Sequence, residues 1–472
     1  MKKSFFLAIL AIFIVMPFIG KGQSEPNFAK LNGAWEGILV AEGDSQCIVI
    51  EVVADTSLKS TVSLPWTGMA SFIASKTTLV NDTFYFKVSQ PTFSFKGVYD
   101  EKSQSIKGLF KQGKSYPLEL QKTDHPQRIN RPQTPIAPYP YISEDVEFSN
   151  SKQNIKFGGT LTIPIGDGPF PAVVLISGSG PQNRDEELLG HKPFLVISDY
   201  LTRNGIAVLR YDDRGVGKST GKFSEGTTLD FANDAESAFN FLSTDKRIYA
   251  NKIGLVGHSE GGVIAPIVAS REKKVAFIIL LAGTGVDGKI LMLEQYRLIL
   301  KASGIPDSIV TPLVDLNRQA FDIALTTKDN KKAAEKIRVV TNNIIQQIGV
   351  ETAKKYNLTP MSAEKLIMQI LTPWMKEFMR LNPAEYLCKV NCPILALNGD
   401  LDLQVPAILN IPAIQKAVAK NKKGKLTVKT FPKLNHLFQT STTGSPSEYA
   451  RIEETLNEEV LKVMLEYIQK LP

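Results

Sequence analysis

The chain has 472 residues, 43% of them apolar and 22% charged, which excludes wholesale disorder and leaves room for two or three folded domains. Its formal charge of +8 falls to about +5 if the lysines of an amino-terminal leader are removed. The remaining lysines are scattered, and the densest group, Lys416 to Lys425, reads as a solvated helix end, so no nucleic-acid partner is expected.

The amino end, MKKSFFLAILAIFIVMPFIGKGQS, carries two lysines, an apolar run from Phe5 to Ile19 and the small residues Gly20 and Gly22. This is the layout of a secretory signal over residues 1–22. Pro17 interrupts a run too short to cross a bilayer, so cleavage, export to the periplasm or exterior and no lasting membrane insertion are expected. Export permits thiols to pair. Cys388 and Cys392 are four residues apart, while Cys47 stands alone; the alternative reading is three free thiols. Neither a nearby histidine nor a fourth thiol supports zinc, and no metal or cofactor is expected.

Residues 28–122 alternate in short apolar runs such as AWEGILV, QCIVIEVV, TFYFKV and FSFKGVYD, punctuated by Gly, Asp and Asn. The pattern predicts a small antiparallel β domain, a sandwich or barrel, with no constellation for catalysis. A linker over 123–141, HPQRINRPQTPIAPYPY at its core, is kept extended by its prolines.

From residue 142 to 472 apolar strands alternate with amphipathic helices. AVVLISG, IAVLRYD, KIGLVGHS and VAFIILLAG are the first strands, and PILALNGDLD and LTVKTFPKLNH the last. Such alternation predicts an α/β fold, a mostly parallel sheet covered on both faces. Between them, residues 286–388 lose the strand pattern and read as helices. In AEKLIMQILTPWMKEFMRL, Ile367, Leu371, Met375 and Met379 fall at spacings of four and predict one apolar helix face.

The segment RYDDRGVGKSTG ends like a phosphate-binding loop. The position that requires the first glycine of that loop is Asp212, with Asp213 beside it. Two carboxylates repel a polyphosphate, and aspartate lacks glycine's backbone freedom, so a nucleotide site is not expected. In LVGHSEGG, by contrast, Ser259 lies between Gly257 and Gly261, after a strand and before a helix. That is the arrangement of a nucleophile elbow. A serine hydroxyl needs a base, and the base an orienting acid. Of four histidines, His125 lies in the linker, His258 is expected to point away from the serine beside it, and His191 reads as a loop contact. His436 follows the last strand, where a loop can return over the elbow. The strand before it offers two acids, Asp400 and Asp402.

With GHSEGG, NGDLDLQVP and the NH of His436 in view, residues 172–471 resemble the α/β-hydrolases and are similar to secreted bacterial esterases with a helical cap. Serine aminopeptidase-like hydrolases are near relatives. The resemblance implies Asp402 as the acid, because the Gly-x-x-Asp spacing of the family's acid loop falls on Gly399 to Asp402. It implies an oxyanion hole from the backbone N–H groups of Glu260 and of Ser179 in SGSGPQNRDE, with Ser177 standing where the family often has histidine. It implies that residues 286–388 form a cap lining an acyl pocket, and that the Asp212 loop is a structural turn. The activity so implied is a serine carboxylesterase using Ser259, Asp402 and His436, acting on small-molecule esters with short to medium acyl chains. Two alternatives stand beside it: a peptidase acting on short peptides, with Glu186, Glu187 or Glu260 receiving the substrate amine, and a catalytically inert secreted binding protein.

Overall fold

The computed structural model describes residues 28–471 apart from 42, 43, 56, 68 and 357, so the leader read over 1–22 lies outside the described residues. The chain divides into two compact units, one comprising 28–64 and 70–128 and the other Pro65–Met69 together with the chain from Ile129 onward.

The first unit is a nine-stranded sheet of β1 (Gly33–Ala41), β2 (Asp44–Ala54), β3 (Leu58–Leu64), β4 (Met69–Ile73), β5 (Lys76–Val80), β6 (Thr83–Val88), β7 (Phe93–Asp100), β8 (Ser105–Gln112) and β9 (Lys114–Thr123). Its order is β4-β3-β2-β1-β9-β8-β7-β6-β5, which closes β1 onto β9 and keeps the other neighbours consecutive. Local chemistry sets the hairpins. Val80 pairs with Thr83 across Asn81 and Asp82, whose φ angles of 47° and 57° suit a two-residue turn that Asn and Asp tolerate. Alternation sets the core: Phe93, Phe95 and Tyr99 of β7 point inward with Trp35, Phe84, Phe86 and Phe110, so side chains fill the interior.

The second unit holds an eight-stranded sheet, in chain order β10 (Ile142–Asn150), β11 (Ile155–Ile163), β12 (Phe170–Ile176), β13 (Ala207–Tyr211), β14 (Ile248–His258), β15 (Phe277–Leu281), β16 (Pro393–Gly399) and β17 (Lys425–Phe431). The spatial order is β10-β11-β13-β12-β14-β15-β16-β17. The last six run parallel, while β10 and β11 form an antiparallel hairpin attached to the β13 edge. That hairpin is absent from the sequence reading, because ISEDVEFSN has too few apolar residues to announce a strand.

Successive strand residues serve opposite faces. Val174 and Ile176 join the core beneath α2 (Thr228–Ser243), α3 (Gly261–Arg271) and α11 (Ala407–Val418). Val173 and Leu175 join the one beneath α1 (Pro193–Arg203) and α12 (Glu458–Gln469). Each such side chain, buried on both sides of the sheet, contributes about 1.5–3 kcal/mol, which explains strands that read as continuous Val, Ile and Leu. Register pairs Ile176 with Gly257, His258 with Leu281 and Gly399 with Phe431, so the strands end along one edge. Open α/β sheets bind ligands at that edge.

Between β15 and β16 run α4 (Gly288–Ala302), α5 (Asp307–Thr326), α6 (Asn330–Ile348), α7 (Val350–Lys355), α8 (Pro360–Ile370), α9 (Pro373–Arg380) and α10 (Ala384–Leu387). Phe321, Ile337, Ile367, Ile370, Met375 and Met379 form a separate core among them. The single helix expected through Ile367 and Met379 is two. Thr372 accepts from the Met375 amide and Pro373 opens α9, so the chain breaks where proline removes a donor. Cys47, Cys388 and Cys392 are free thiols.

Candidate active site

Ser259 sits between β14 and α3 in left-handed backbone, φ 53°, a conformation costly for any residue except glycine. Its neighbours explain the glycines. A Cβ on Gly257 would lie 2.0 Å from the Gly261 carbonyl oxygen, and one on Gly261 would lie 2.2 Å from that of Ile176. Only bare backbone passes through this turn. The Ser259 amide is anchored on the Leu281 carbonyl at 2.8 Å, and the side chain opens into a cavity at the amino terminus of α3, where the helix dipole favours developing negative charge.

His436 lies in the loop after β17 and is buried. Its Nδ1 donates to Asp402 Oδ2 at 2.9 Å. That carboxylate is held on all sides: Oδ1 accepts from the Gln404 and Val405 amides at 2.8 and 2.7 Å, and Oδ2 also accepts from Asn398 Nδ2 at 3.1 Å. Asp400 instead accepts from the Lys433 amide at 2.6 Å, a turn contact between β16 and β17. The two acids left open by residue type are therefore separated by what they touch.

The cavity is about 220 Å³ and is lined by Ser259, His436, Ser179 and Glu260. Leu291, Met292, Trp374 and Phe378 of the helical insertion supply an apolar wall, with Val405 and Leu437 beside them. Trp374 and Phe378 stack with ring centroids 5.6 Å apart. Among the described residues the Ser179 and Glu260 amides have no acceptor within the protein, which leaves both donors free for a ligand oxygen.

The loop carrying Ser179 is tied down by acids. Ser177 donates its hydroxyl to Asp213 Oδ1 at 2.9 Å, and the Gln182 amide donates to Asp213 Oδ2 at 2.9 Å. Burial, with the Glu186 and Glu260 charges adding to it, pushes the Asp213 carboxyl up to about 8. Next to it, Asp212 accepts from the Arg184 amide, Nε and Nη2 and from the Lys218 amide. A Cβ on Gly217 would meet Asp212 Oδ2 at 2.4 Å, so the apparent phosphate loop is filled by a carboxylate.

Two side chains play parts that the sequence did not announce. His258 does not point away: it lines the cavity, buried, with Nδ1 2.9 Å from Glu186 Oε1 and Nε2 3.1 Å from the His436 carbonyl. An alternating strand that ends at an elbow sends the residue before the serine sideways into the adjoining loops. Glu260 lends more than its amide. Its carboxylate is buried, and Oε1 accepts from Thr228 Oγ1 at 2.6 Å and Trp374 Nε1 at 2.8 Å. Burial holds its carboxyl above the usual range, against the hydrogen bonds from Thr228, Trp374 and Ser179. His191 also reaches the cavity, but its Nδ1 bonds to Thr455 Oγ1 and its Nε2 to the Tyr449 carbonyl, both at 3.0 Å. Burial pushes it down to about 4, so it is neutral. His125 is exposed in the stretch after β9.

Residues 194–440 match the family model described as serine aminopeptidase, S33. Among curated proteins, esterase EstD of Thermotoga maritima is 25% identical over 318 residues. That alignment covers 65% of this chain and 65% of the relative, just under two thirds of the relative's length. Among solved structures, the α/β hydrolase GrgF from a Penicillium species aligns with a TM-score of 0.43 and 15% identity over 70% of this chain and 99% of its own. The Pyrococcus furiosus esterase PF2001 aligns with a TM-score of 0.43 and 15% identity over 73% of this chain and 98% of its own.

Proposed function

Since the chain belongs to the serine aminopeptidase S33 family of α/β-hydrolases, whose model spans more than half of it, we propose that it is an exported serine carboxylesterase working through an acyl-enzyme. The observation that carries this reading is one cavity lined by a left-handed Ser259 and by His436, with the histidine's far nitrogen fixed 2.9 Å from a fully bonded Asp402.

His436 takes the proton of Ser259 as the oxygen attacks the ester carbonyl. Asp402 holds the Nδ1–H tautomer, leaves Nε2 free to accept, and stabilises the imidazolium. The Ser179 and Glu260 amides receive the oxyanion, and the dipole of α3 adds to them. The alcohol leaves with the proton from His436, and water activated by the same nitrogen releases the acid and restores Ser259. Helices α4–α9 act as the cap, and the Leu291, Met292, Trp374 and Phe378 wall accepts a short to medium acyl chain. The amino-terminal run of Phe5 to Ile19 directs export.

Esters are preferred to short peptides because the acids available for a substrate amine are already engaged. Glu186 is bonded to His258 and Gly178, Glu187 pairs with Lys192 at 3.5 Å, and Glu260 accepts from Thr228 and Trp374. The test is fluorophosphonate labelling followed by turnover of nitrophenyl esters beside aminoacyl nitroanilides. The expected result is an adduct on Ser259 and faster ester turnover, with Ser259→Ala lowering kcat by about 10⁴–10⁶-fold at little change in Tm. No adduct overturns the enzyme reading in favour of a binding protein, and faster anilide turnover overturns the ester preference.

A further inference from the structure

Both ring nitrogens of His258 face acceptors. Nδ1 is 2.9 Å from Glu186 Oε1 and Nε2 is 3.1 Å from the backbone oxygen of His436. A neutral imidazole has a single N–H, so opposite an ionised Glu186 only the doubly protonated ring donates in both contacts. Glu186 supplies the counter-charge, and the same Oε1 accepts from the Gly178 amide at 2.6 Å. Glu186 itself occupies left-handed backbone, φ 50°, a cost that the two bonds offset. Three segments thus meet on one ion pair: the loop after β12 that carries Ser179, the elbow at the end of β14, and the loop that carries His436.

We infer that Glu186 and His258 form a positioning pair, an imidazolium and carboxylate that hold the Ser179 loop and the His436 loop at their working separation. The inference rests on the assignment of Ser259 and His436 to acyl transfer. Packing makes the coupling tight. A Cβ placed on Gly178 would lie 3.2 Å from Ser259 Cβ, 3.3 Å from Glu186 Oε1 and 3.5 Å from His258 Nδ1, so a shift of either charged group is felt at the residue before Ser179.

The charged neighbours of His258 are few. The His436 ring lies 4.9 Å away between centroids, tilted by 40°, Asp402 adds its charge from beyond that ring, and Asp213 lies near Glu186. From α1, β15 and the segments around them the adjoining side chains are apolar: Pro193, Phe194, Ile197, Leu281, Phe438 and Leu456. Burial opposes the charge on His258, but Glu186 as counter-ion and acceptor outweighs it and raises the ring's pKa above its ordinary value. The charged form is therefore complete at acid pH and is lost as pH rises through that raised value, so the pair weakens on the alkaline side. Deprotonation of Nε2 then turns a lone pair towards the His436 carbonyl.

The test compares pH profiles of kcat and KM for a nitrophenyl ester in the full chain, its His258→Gln variant and its Glu186→Gln variant. Glu186→Gln keeps a carbonyl acceptor for Gly178 and removes only the charge. The wild type is expected to lose kcat on an alkaline limb. Glu186→Gln should move that limb about one pH unit or more to the acid side. It should also lower kcat about 10- to 100-fold with KM within about twofold, and His258→Gln should lack the limb. A second measurement needs no variant: in nitrogen-15 spectra of the wild type, one of the four histidines should have both ring nitrogens protonated at neutral pH. Unchanged limbs and kcat within about twofold in both variants, or four neutral rings, overturn the positioning pair. A wild type that takes no label at Ser259 overturns the esterase assignment instead.

Discussion

Asp402→Asn replaces one oxygen by an amide nitrogen, and the structure dictates which. Oδ1 accepts from two backbone amides, Gln404 and Val405, that cannot turn away, so the new NH₂ must take the Oδ2 position. There it meets His436 Nδ1 and Asn398 Nδ2, both donors to the carboxylate. The imidazole can answer only by moving its proton to Nε2, the atom that accepts the serine proton in the proposed mechanism. In the serine protease with the same constellation this exchange costs about 10⁴ in kcat, equivalent to roughly 5 kcal/mol of transition-state stabilisation. One N–H of the Asn398 side chain loses its acceptor in the core while the other keeps the Val405 carbonyl, adding about 1–3 kcal/mol of instability visible in Tm. The assay is steady-state turnover of a nitrophenyl ester beside Asp400→Asn, whose wild-type carboxylate contacts only the Lys433 turn. That control should keep kcat within about threefold and lose only a little stability. Turnover in Asp402→Asn within about tenfold of wild type, or loss confined to Asp400→Asn, would refute the tautomer argument.

Trp374→Phe removes the indole N–H that reaches Glu260 from α9 but keeps an aromatic ring beside Phe378. Leaving that carboxylate short of a donor should cost about 1–3 kcal/mol in denaturant unfolding, and a comparison of butyryl with acetyl esters should show the longer chain affected more. Asp213→Asn tests the acid under the Ser179 loop. Its carboxyl, pushed up to about 8, keeps a proton in the folded chain that the unfolded chain releases near the ordinary aspartate value. Wild-type stability should therefore fall with rising pH between about 4 and 8 with a slope of up to one proton. The asparagine variant should lose that slope in pH-dependent melts; an unchanged slope would show that Asp213 is ionised when folded.

What could be read from the sequence and what could not separate along a physical line. The elbow is local: Gly257, Ser259 and Gly261 are neighbours, and steric demands within five residues write themselves as a motif. The parallel strands are legible for a related reason, since burial on both faces demands uninterrupted Val, Ile and Leu, as in β12 and β15. The β10–β11 hairpin was hidden because its first strand, at the sheet's edge, has an outer face rich in Ser, Glu and Asp. The break between α8 and α9 was written as Thr372-Pro373, but a spacing of four through Leu371 and Met375 masked it.

The parts of the site that escaped the sequence are those whose partners lie far apart in the chain. Glu186 and His258 are 72 residues apart, Trp374 and Glu260 are 114. No periodicity or spacing rule encodes such pairs, because the sheet's strand order decides which loops meet. The pairs nevertheless follow a common logic. Each buried carboxylate near Ser259 joins two chain segments: Asp402 joins the β16 loop to His436, Glu186 joins the Ser179 loop to the elbow, and Glu260 joins the elbow to the helical insertion. In the proposed mechanism a single hydroxyl positioned by one turn of backbone needs its base, its acid, its second oxyanion donor and its acyl wall brought from four other segments. Hydrogen bonds to buried charge are the stronger kind available for that purpose. The acids that surround Ser259 are in this sense the framework of the site, and among the described residues Asp402 is the one bonded to the His436 ring that the proposed mechanism uses as base.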